Sequence, residues 1–221
     1  MEVQFIDHIK KNNLFDNSHN LLLAYSAGVD SSVLFNLLLN CKYKFSVAHC
    51  NYKLRGQHSD NDQRFIIEKA KIHKVKYHTR EFDISKINFK KSQSVQMKCR
   101  QIRYKWFNEL SKKYEYDFIL TAHHLNDSIE TFFINIFRGT GIEGLTGIPI
   151  KRDKFIRPLL FATKNSILEY AKKNDVHYRE DKSNESKNYK RNKIRSDLIP
   201  IISVISENYE EIFYKSFKNL K

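Results

Sequence analysis

The chain has 221 residues, enough for one well-buried core and a small appendage. Its 41% hydrophobic and 13% aromatic content suits a globular protein, and no apolar run reaches the ~18 residues of a membrane span, so none is expected. The formal net charge of +14, from 39 basic and 25 acidic residues, points to a polyanionic partner such as RNA; an AT-rich genome also inflates lysine, so the placement of the charge matters more than its sum.

Met1-Glu2-Val3-Gln4 opens an amphipathic pattern rather than a signal peptide, so a cytoplasmic protein is expected. Residues 2–12 have the spacing of a short helix. Leu21 to Tyr25 reads as a buried strand, followed by a helix near 30–39. A second strand is expected at Lys44 to His49. A helix follows from Ser59 to His73, with Ser59 as N-cap and Asp60 and Asp62 in its first turn. The third strand lies near Lys76 to Arg80, a long helix over about 93–114, and the fourth strand at Asp117 to Thr121. Another helix runs from about Asn126 to Phe137. Gly139 to Gly147 holds four of the six glycines and reads as a structured loop. Then come a helix near 163–174, a polar, basic segment at 181–195 and a final helix near 201–219. Repeated strand–helix units imply an α/β fold, a doubly wound parallel sheet of about five strands with right-handed crossovers. Ligands of such sheets sit at the carboxyl ends of the strands, near the switch point. The turns after strands one, two and four are therefore expected to face one pocket.

Those turns hold the strongest motifs. After strand one comes Ser26-Ala27-Gly28-Val29-Asp30-Ser31-Ser32. A small-residue turn entering a helix lets backbone N–H groups approach an anion, and the helix dipole and serine hydroxyls add to it. A phosphate is the natural guest, with Asp30 suited to holding Mg²⁺ beside it. Gly-Lys-Ser/Thr is missing, so this is not a Walker A loop. The turn resembles the PP-loop of ATP pyrophosphatases, Ser-Gly-Gly-x-Asp-Ser, with Ala27 in place of the first glycine. With a negative φ the Ala27 methyl is tolerated, although it narrows the approach of backbone to phosphate. The resemblance implies cleavage of ATP between its α and β phosphates. Cys41, Cys50 and Cys99 form no Cys-x-x-Cys pair, so neither a zinc site, a thiol relay nor the cysteine-held iron–sulfur cluster of some PP-loop enzymes is indicated.

After strand two comes His49-Cys50-Asn51-Tyr52-Lys53-Leu54-Arg55-Gly56, and after strand four Ala122-His123-His124-Leu125-Asn126-Asp127-Ser128-Ile129-Glu130-Thr131, then Arg138-Gly139-Thr140-Gly141. With Arg100-Gln101-Ile102-Arg103-Tyr104 and Arg191-Asn192-Lys193-Ile194-Arg195, these blocks resemble the tRNA(Ile)-lysidine synthases over about residues 20–200. The resemblance implies ATP-dependent ligation of L-lysine to C2 of the wobble cytidine of a tRNA(Ile) with a CAU anticodon, through an adenylated tRNA.

Asp127 and Glu130 lie three apart on a helix and share a face, where paired carboxylates hold an ammonium group or Mg²⁺. By resemblance both contact lysine, and Asp127 also serves the metal. Of the adjacent His123 and His124 only one is expected to face the substrate, and resemblance favours His123. Arg103, with Arg100 as the alternative, and Arg55 offer forks for phosphate. The run Lys182, Lys187, Lys190, Arg191, Lys193 and Arg195, with Tyr189 inside it, reads as RNA-contacting. The expected catalytic set is thus Asp30, Arg103, His123, Asp127 and Glu130. The nucleotide turn is Ser26, Ala27, Gly28, Val29, Asp30 and Ser31, with Asp30 and Asp127 on the metal and Arg55, Arg191 and Arg195 on tRNA. Residues 1–150 are expected to form the ATP-binding catalytic domain and 151–221 a helical extension with tRNA contacts. Larger family members carry further C-terminal domains, so recognition here is expected to rest on the catalytic domain or on a homodimer. Two other functions compete with this reading: tRNA 2-thiolation, disfavoured by the missing cysteine pairs and the His49 to Gly56 segment, and a non-catalytic ATP- and RNA-binding module, disfavoured by intact Asp30, Asp127 and Glu130.

Overall fold

The computed structural model describes residues 1–86, 94–179 and 190–220. The chain opens with α1 (Glu2–Lys11), then β1 (Leu21–Ala24), α2 (Val29–Asn40), β2 (Phe45–Asn51), α3 (Gln57–Ile72) and β3 (Lys76–Glu81). After a 3₁₀ turn at Ile84–Lys86 come α4 (Val95–Lys113), β4 (Phe118–Leu120), α5 (Leu125–Ile136) and the single turn α6 (Ile142–Leu145). β5 (Lys151–Arg152), β6 (Phe155–Ile156) and α7 (Lys164–Lys173) follow. Beyond them, α8 (Lys190–Lys193) passes through a π-type stretch at Ile194–Leu198 into α9 (Ile199–Ile205), and α10 (Tyr209–Asn219) comes last.

The strand order is β3-β2-β1-β4-β6-β5. β1, β2, β3, β4 and β6 run parallel, which meets the expected parallel sheet, and β5 adds an antiparallel edge to β6. Strands of two residues leave no periodic trace in sequence, which is why this hairpin was not foreseen. It joins the sheet from beyond residue 150, so residues 151–156, expected in a helical extension, are part of the sheet itself. The chain leaves β1 toward β2 and β3, then returns to β4 on the other side of β1. The switch point therefore lies between the carboxyl ends of β1 and β4, where the loop after β1 and the double histidine emerge.

Burial explains the layers. Leu21 and Leu23 point into a cluster with α1, α2 and α7, while Leu22 packs on the other face with Trp106 and Leu110 of α4. All three leucines are inaccessible to solvent, and each such side chain contributes about 1.5–3 kcal/mol. A third cluster joins α5 to α10 through Phe132, Phe133, Phe213 and Phe217. Gly147 adopts φ +74 beneath it, and a Cβ there would lie 3.1 Å from Ser128 Cβ, so glycine permits the close approach.

Three local expectations are corrected. Gly56, not Ser59, caps α3, which starts two residues earlier; Ser59 Oγ instead accepts the Arg55 N–H at 3.2 Å. The final helix is two helices, α9 and α10, broken at 206–208. Upstream, Pro200 lacks the N–H that would bond residue 196, and the Ile199 N–H reaches back five residues to Ile194 O. Ala27 has φ +70, not the negative value that would suit its methyl, and its side chain packs in the core rather than against the phosphate approach. The left-handed backbone costs on the order of 1 kcal/mol for a non-glycine residue, and core packing of the methyl offsets it. Lys182, Lys187 and Tyr189 lie outside the described residues. Among the described residues no helix is long and apolar enough to cross a membrane.

Candidate active site

The turn after β1 is held by its own hydroxyls. Ser26 and Ser31 approach within 3.1 Å through their Oγ atoms, and Ser31 Oγ donates to Gly28 O at 3.0 Å. Ser32 Oγ donates to Ala27 O at 3.2 Å. Gly28 is the N-cap of α2 and makes no side-chain cap bond, so the first N–H groups of the helix remain available to an anion. A Cβ on Gly28 would meet only Ser26 Oγ, at 3.6 Å.

Asp30, in the first turn of α2, receives the Lys164 ammonium at 2.5 Å. Lys164 opens α7, and its backbone N–H is capped by Asn126 Oδ1 at 2.8 Å, which ties the start of α7 to the start of α5. From β4, His124 is buried and its Nε2 stands 3.9 Å from Asp30 Oδ1 and 3.6 Å from Asp127 Oδ2. Asp127 Oδ2 also accepts the His124 N–H at 2.9 Å, which stiffens the entry to α5. The carboxylates of the β1 and β4 sides thus converge on one imidazole.

Asp127 and Glu130 do share a face, and two arginines of the C-terminal run occupy it. Arg191 donates to Asp127 Oδ1 at 2.7 Å and to Glu130 Oε2 at 2.5 Å, and Arg195 donates to Glu130 Oε1 at 2.7 Å. Glu130 is 2% exposed, so burial would penalise its charge without these forks. Burial also pushes the Asp127 carboxyl up, but His124, Arg191 and His123 together hold it below its ordinary value. The basic run therefore splits by helical spacing: Arg191 and the half-exposed Arg195, four apart, reach the α5 carboxylates, while Lys190 and Lys193 are exposed.

His123 Nδ1 stands 2.9 Å from Thr121 Oγ1, with the charge of Asp127 acting on the ring. Burial, assisted by Arg157, Arg191 and Arg100, lowers its pKa from 6.5 to about 4 despite the opposing charge of Asp127. The imidazole is neutral near pH 7. Of the two candidate arginines, Arg100 acts on His123, whereas Arg103 lies over Tyr52, donating to its hydroxyl at 3.2 Å. Arg55 pairs with Asp62 at 2.8 Å. The structure thus brings together the Ser26–Ser31 turn, Asp30, Asp127, Glu130, Arg191 and Arg195, and leaves Arg103 and Arg55 on the β2 side. Within β2, His49 Nδ1 lies 2.9 Å from Tyr25 O, which ties that strand to the residue before the Ser26–Ser31 turn.

Sequence reasoning missed Lys164 and Arg157 and ranked His124 second. Lys164 carried one signal: a cation at the first position of a helix opposes the dipole and calls for an anionic partner. Arg157 follows the unforeseen β6. Among the described residues no group of three or more His, Cys, Asp or Glu is arranged for a metal ion. Asp30 and Asp127 are hard oxygen donors on either side of His124, which fits Mg²⁺, an ion that keeps waters and completes its shell with substrate phosphates.

A parallel sheet with a small-residue turn and a helix N-terminus at its switch point, facing acids on the next strand's helix, is the arrangement of nucleotide-using α/β domains. Over residues 1–202 the chain matches the PP-loop domain family, and it belongs to that family. It is 36% identical over 215 residues to the tRNA(Ile)-lysidine synthase of Porphyromonas gingivalis, covering 96% of this chain and 47% of that protein. To the tRNA(Ile)-lysidine synthase of Chlorobaculum tepidum it is 37% identical over 207 residues, covering 91% of this chain and 62% of that protein. The chain thus spans roughly half to three-fifths of the length of these relatives. Among solved structures, the U34-tRNA thiolase NcsA from Methanococcus maripaludis with its 4Fe-4S cluster superposes with a TM-score of 0.80 at 18% identity, covering 99% of this chain and 78% of that one, a likeness of fold.

Proposed function

We propose that this chain ligates lysine to C2 of the wobble cytidine of a tRNA(Ile) with a CAU anticodon, using ATP and releasing AMP and pyrophosphate. The observation that carries the reading is the convergence of Asp30, His124 and Asp127 beside the Ser26–Ser31 turn, on a chain similar throughout to tRNA(Ile)-lysidine synthases.

The cytosine C2 oxygen attacks the α-phosphate of ATP, and pyrophosphate leaves. The N-terminal N–H groups of α2 and the Ser26 and Ser31 hydroxyls stabilise the departing charge. Asp30 and Asp127 would hold Mg²⁺, which would supply charge neutralisation on the phosphates. Lys164 then exchanges its partner, leaving Asp30 for a phosphate oxygen within reach of the same turn. In the second step the lysine ε-amine attacks C2 and AMP departs. The ammonium must first lose a proton, and neutral His123 and the α5 carboxylates are the available acceptors. Asp127 and Glu130 hold Arg191 and Arg195 until substrate arrives; an incoming ammonium competes with guanidinium for the same oxygens. Lys190 and Lys193, exposed on the outer face of the run, serve the tRNA backbone. The chain works in the cytoplasm, where its tRNA is.

Thiolation on the same fold is disfavoured by the thiols: Cys41, Cys50 and Cys99 are free, and burial pushes Cys50 up to about 11, well away from a reactive thiolate. The test is ATP–pyrophosphate exchange with CAU-anticodon tRNA(Ile), followed by incorporation of labelled lysine. Exchange and incorporation are both expected. Tight ATP and tRNA binding without exchange would make the chain a binding module and overturn the reading.

A further inference from the structure

The carboxyl edge of the sheet carries a second cationic cluster that adenylation does not use. Arg157 follows β6 directly and is 4% exposed. Its Nη1 donates to Pro149 O at 2.6 Å, while its Nε is buried with no hydrogen-bond partner among the described residues. The groups that act on it are Tyr104 and two further arginines, Arg100 and Arg152, and no carboxylate among the described residues pairs with it. A guanidinium buried without counter-charge is costly, and the burden is relieved when an anion arrives. Arg100, exposed on α4, lies over the Tyr104 ring at 4.7 Å, and its Nη2 donates to the Tyr104 hydroxyl at 3.0 Å. The same ring packs on Phe155, two residues before Arg157, with centroids 4.4 Å apart. The Thr121 N–H donates to Ile156 O at 3.0 Å, which sets the end of β4, and His123 beyond it, beside Arg157. The charges of Asp127, Arg157 and Arg100 all reach the His123 ring. Unpaired positive charge therefore adjoins the carboxylates of α5.

We propose that Arg157 and Arg100, joined by Tyr104, hold the α-carboxylate of the amino-acid substrate. The proposal rests on the lysine-ligating reading above. A zwitterionic amino acid presents a carboxylate and an ammonium on the same carbon, and arginines and an aspartate around one imidazole match that pair. Asp127 takes the α-ammonium. The ε-amine, at the far end of the side chain, is directed away from the arginines and toward C2, with Glu130 left on α5 as a proton acceptor. No bond changes at the arginines; they select and orient the substrate.

Lysine, lysinamide and inorganic phosphate are titrated by calorimetry into the full chain with ATP present, and transfer to tRNA is assayed with lysine and lysinamide. Below about pH 7, where its α-amine stays protonated, lysinamide keeps both ammonium groups and loses only the carboxylate charge, so the titrations are run there. The wild type is expected to prefer lysine by about 10- to 100-fold, the worth of a charge-assisted hydrogen-bond pair. Arg157→Gln and Arg100→Gln should each reduce that preference several-fold or more, and Arg157→Lys should retain part of it. Should Arg157→Gln lose its circular dichroism spectrum, the exposed Arg100→Gln and the charge-keeping Arg157→Lys carry the decision. A merely structural Arg157 would weaken both ligands equally, so an unchanged ratio in the folded variants overturns the proposal. So does a wild type that binds lysinamide as well as lysine, binds neither, or yields its lysine to millimolar phosphate, which would assign the arginines to an RNA phosphate. Selective lysine binding without lysidine formation would leave the subsite standing and sink the reaction instead.

Discussion

The central sheet and the C-terminal helical run hold themselves in place by different physics. Leu21, Leu22 and Leu23 of β1 are fully buried, whereas α9 leaves Ile201, Val204 and Ile205 exposed at 58%, 85% and 80%. The run from α8 to α9 docks on α5 instead through Ile194 and the two arginines on Glu130 and Asp127. Hydrophobic burial fixes the sheet independently of any ligand. Ion pairs fix the run, and they use the carboxylates that the proposed chemistry needs. Whatever changes the charge of the site should therefore loosen the run and leave the sheet intact.

The comparison breaks most visibly at Asp30. Asp30→Asn should lower tRNA-dependent AMP formation by about 100-fold or more, since removing one preorganised electrostatic group typically costs that much. The sheet does not depend on Asp30, so the circular dichroism spectrum and melting temperature should stay near wild type. A variant with wild-type adenylation would remove Asp30 from the metal role.

Arg191→Ala combined with Arg195→Ala tests the run directly. Both forks leave the buried Glu130, and the loss should fall toward the lower end of the ~3–5 kcal/mol for an orphaned buried charge, because the arginines are themselves partly exposed. Adding Glu130→Gln to that double variant should recover part of the stability. Urea unfolding of the four proteins gives the coupling; strictly additive losses would deny the pairing.

Lys190→Ala with Lys193→Ala is the matching test on the outer face. Each lost phosphate contact should flatten the log–log salt dependence of tRNA binding by roughly 0.7 to 0.9, so the pair should flatten it by about one to two units. Folding stability should not move. Filter binding across a salt series checks it, and parallel slopes would assign tRNA contact elsewhere.

His123 sharpens the comparison through pH. Its folded pKa, about 4, lies below its ordinary 6.5 because burial disfavours the imidazolium. As pH falls from 6.5 to 4 the unfolded chain takes up a proton that the folded chain refuses, so this residue lowers stability through that window and has no pH-dependent effect above it. Asp127 has the opposite sign: its stabilisation is present above the ordinary 3.8 and is lost as pH falls through its lower folded value. The gap in urea midpoint between wild type and His123→Gln should be constant above pH 6.5 and shift in the variant's favour toward pH 4. A gap that stays constant throughout would mean that His123 is solvated.

The smallest effect is expected at the uncovered face. Val204→Lys with Ile205→Lys should change stability by no more than about 0.5 kcal/mol per site, as for surface positions generally. A larger loss in urea unfolding would show that another surface covers α9 in solution.

The chain by itself determined the parts whose cause is local. The strand–helix alternation, the small-residue turn leading into the helix at Asp30, and the shared face of Asp127 and Glu130 follow from apolar period, small residues and i,i+3 spacing, and all three are present in the structure. The two-residue strands β5 and β6 were not legible, because pairing with β4 rather than periodicity creates them. Tertiary structure alone decided who meets whom. Asp30 finds Lys164, 134 positions away, and Asp127 finds Arg191, 64 away. Arg191 and Arg195, read as part of an RNA-facing run, pair with the buried Glu130, while Lys190 and Lys193 stay exposed. Among the described residues, tertiary structure also left Arg157 without a carboxylate partner. Charges act through space, and the distances over which they act here are set by the switch point of the sheet, which no window of sequence contains.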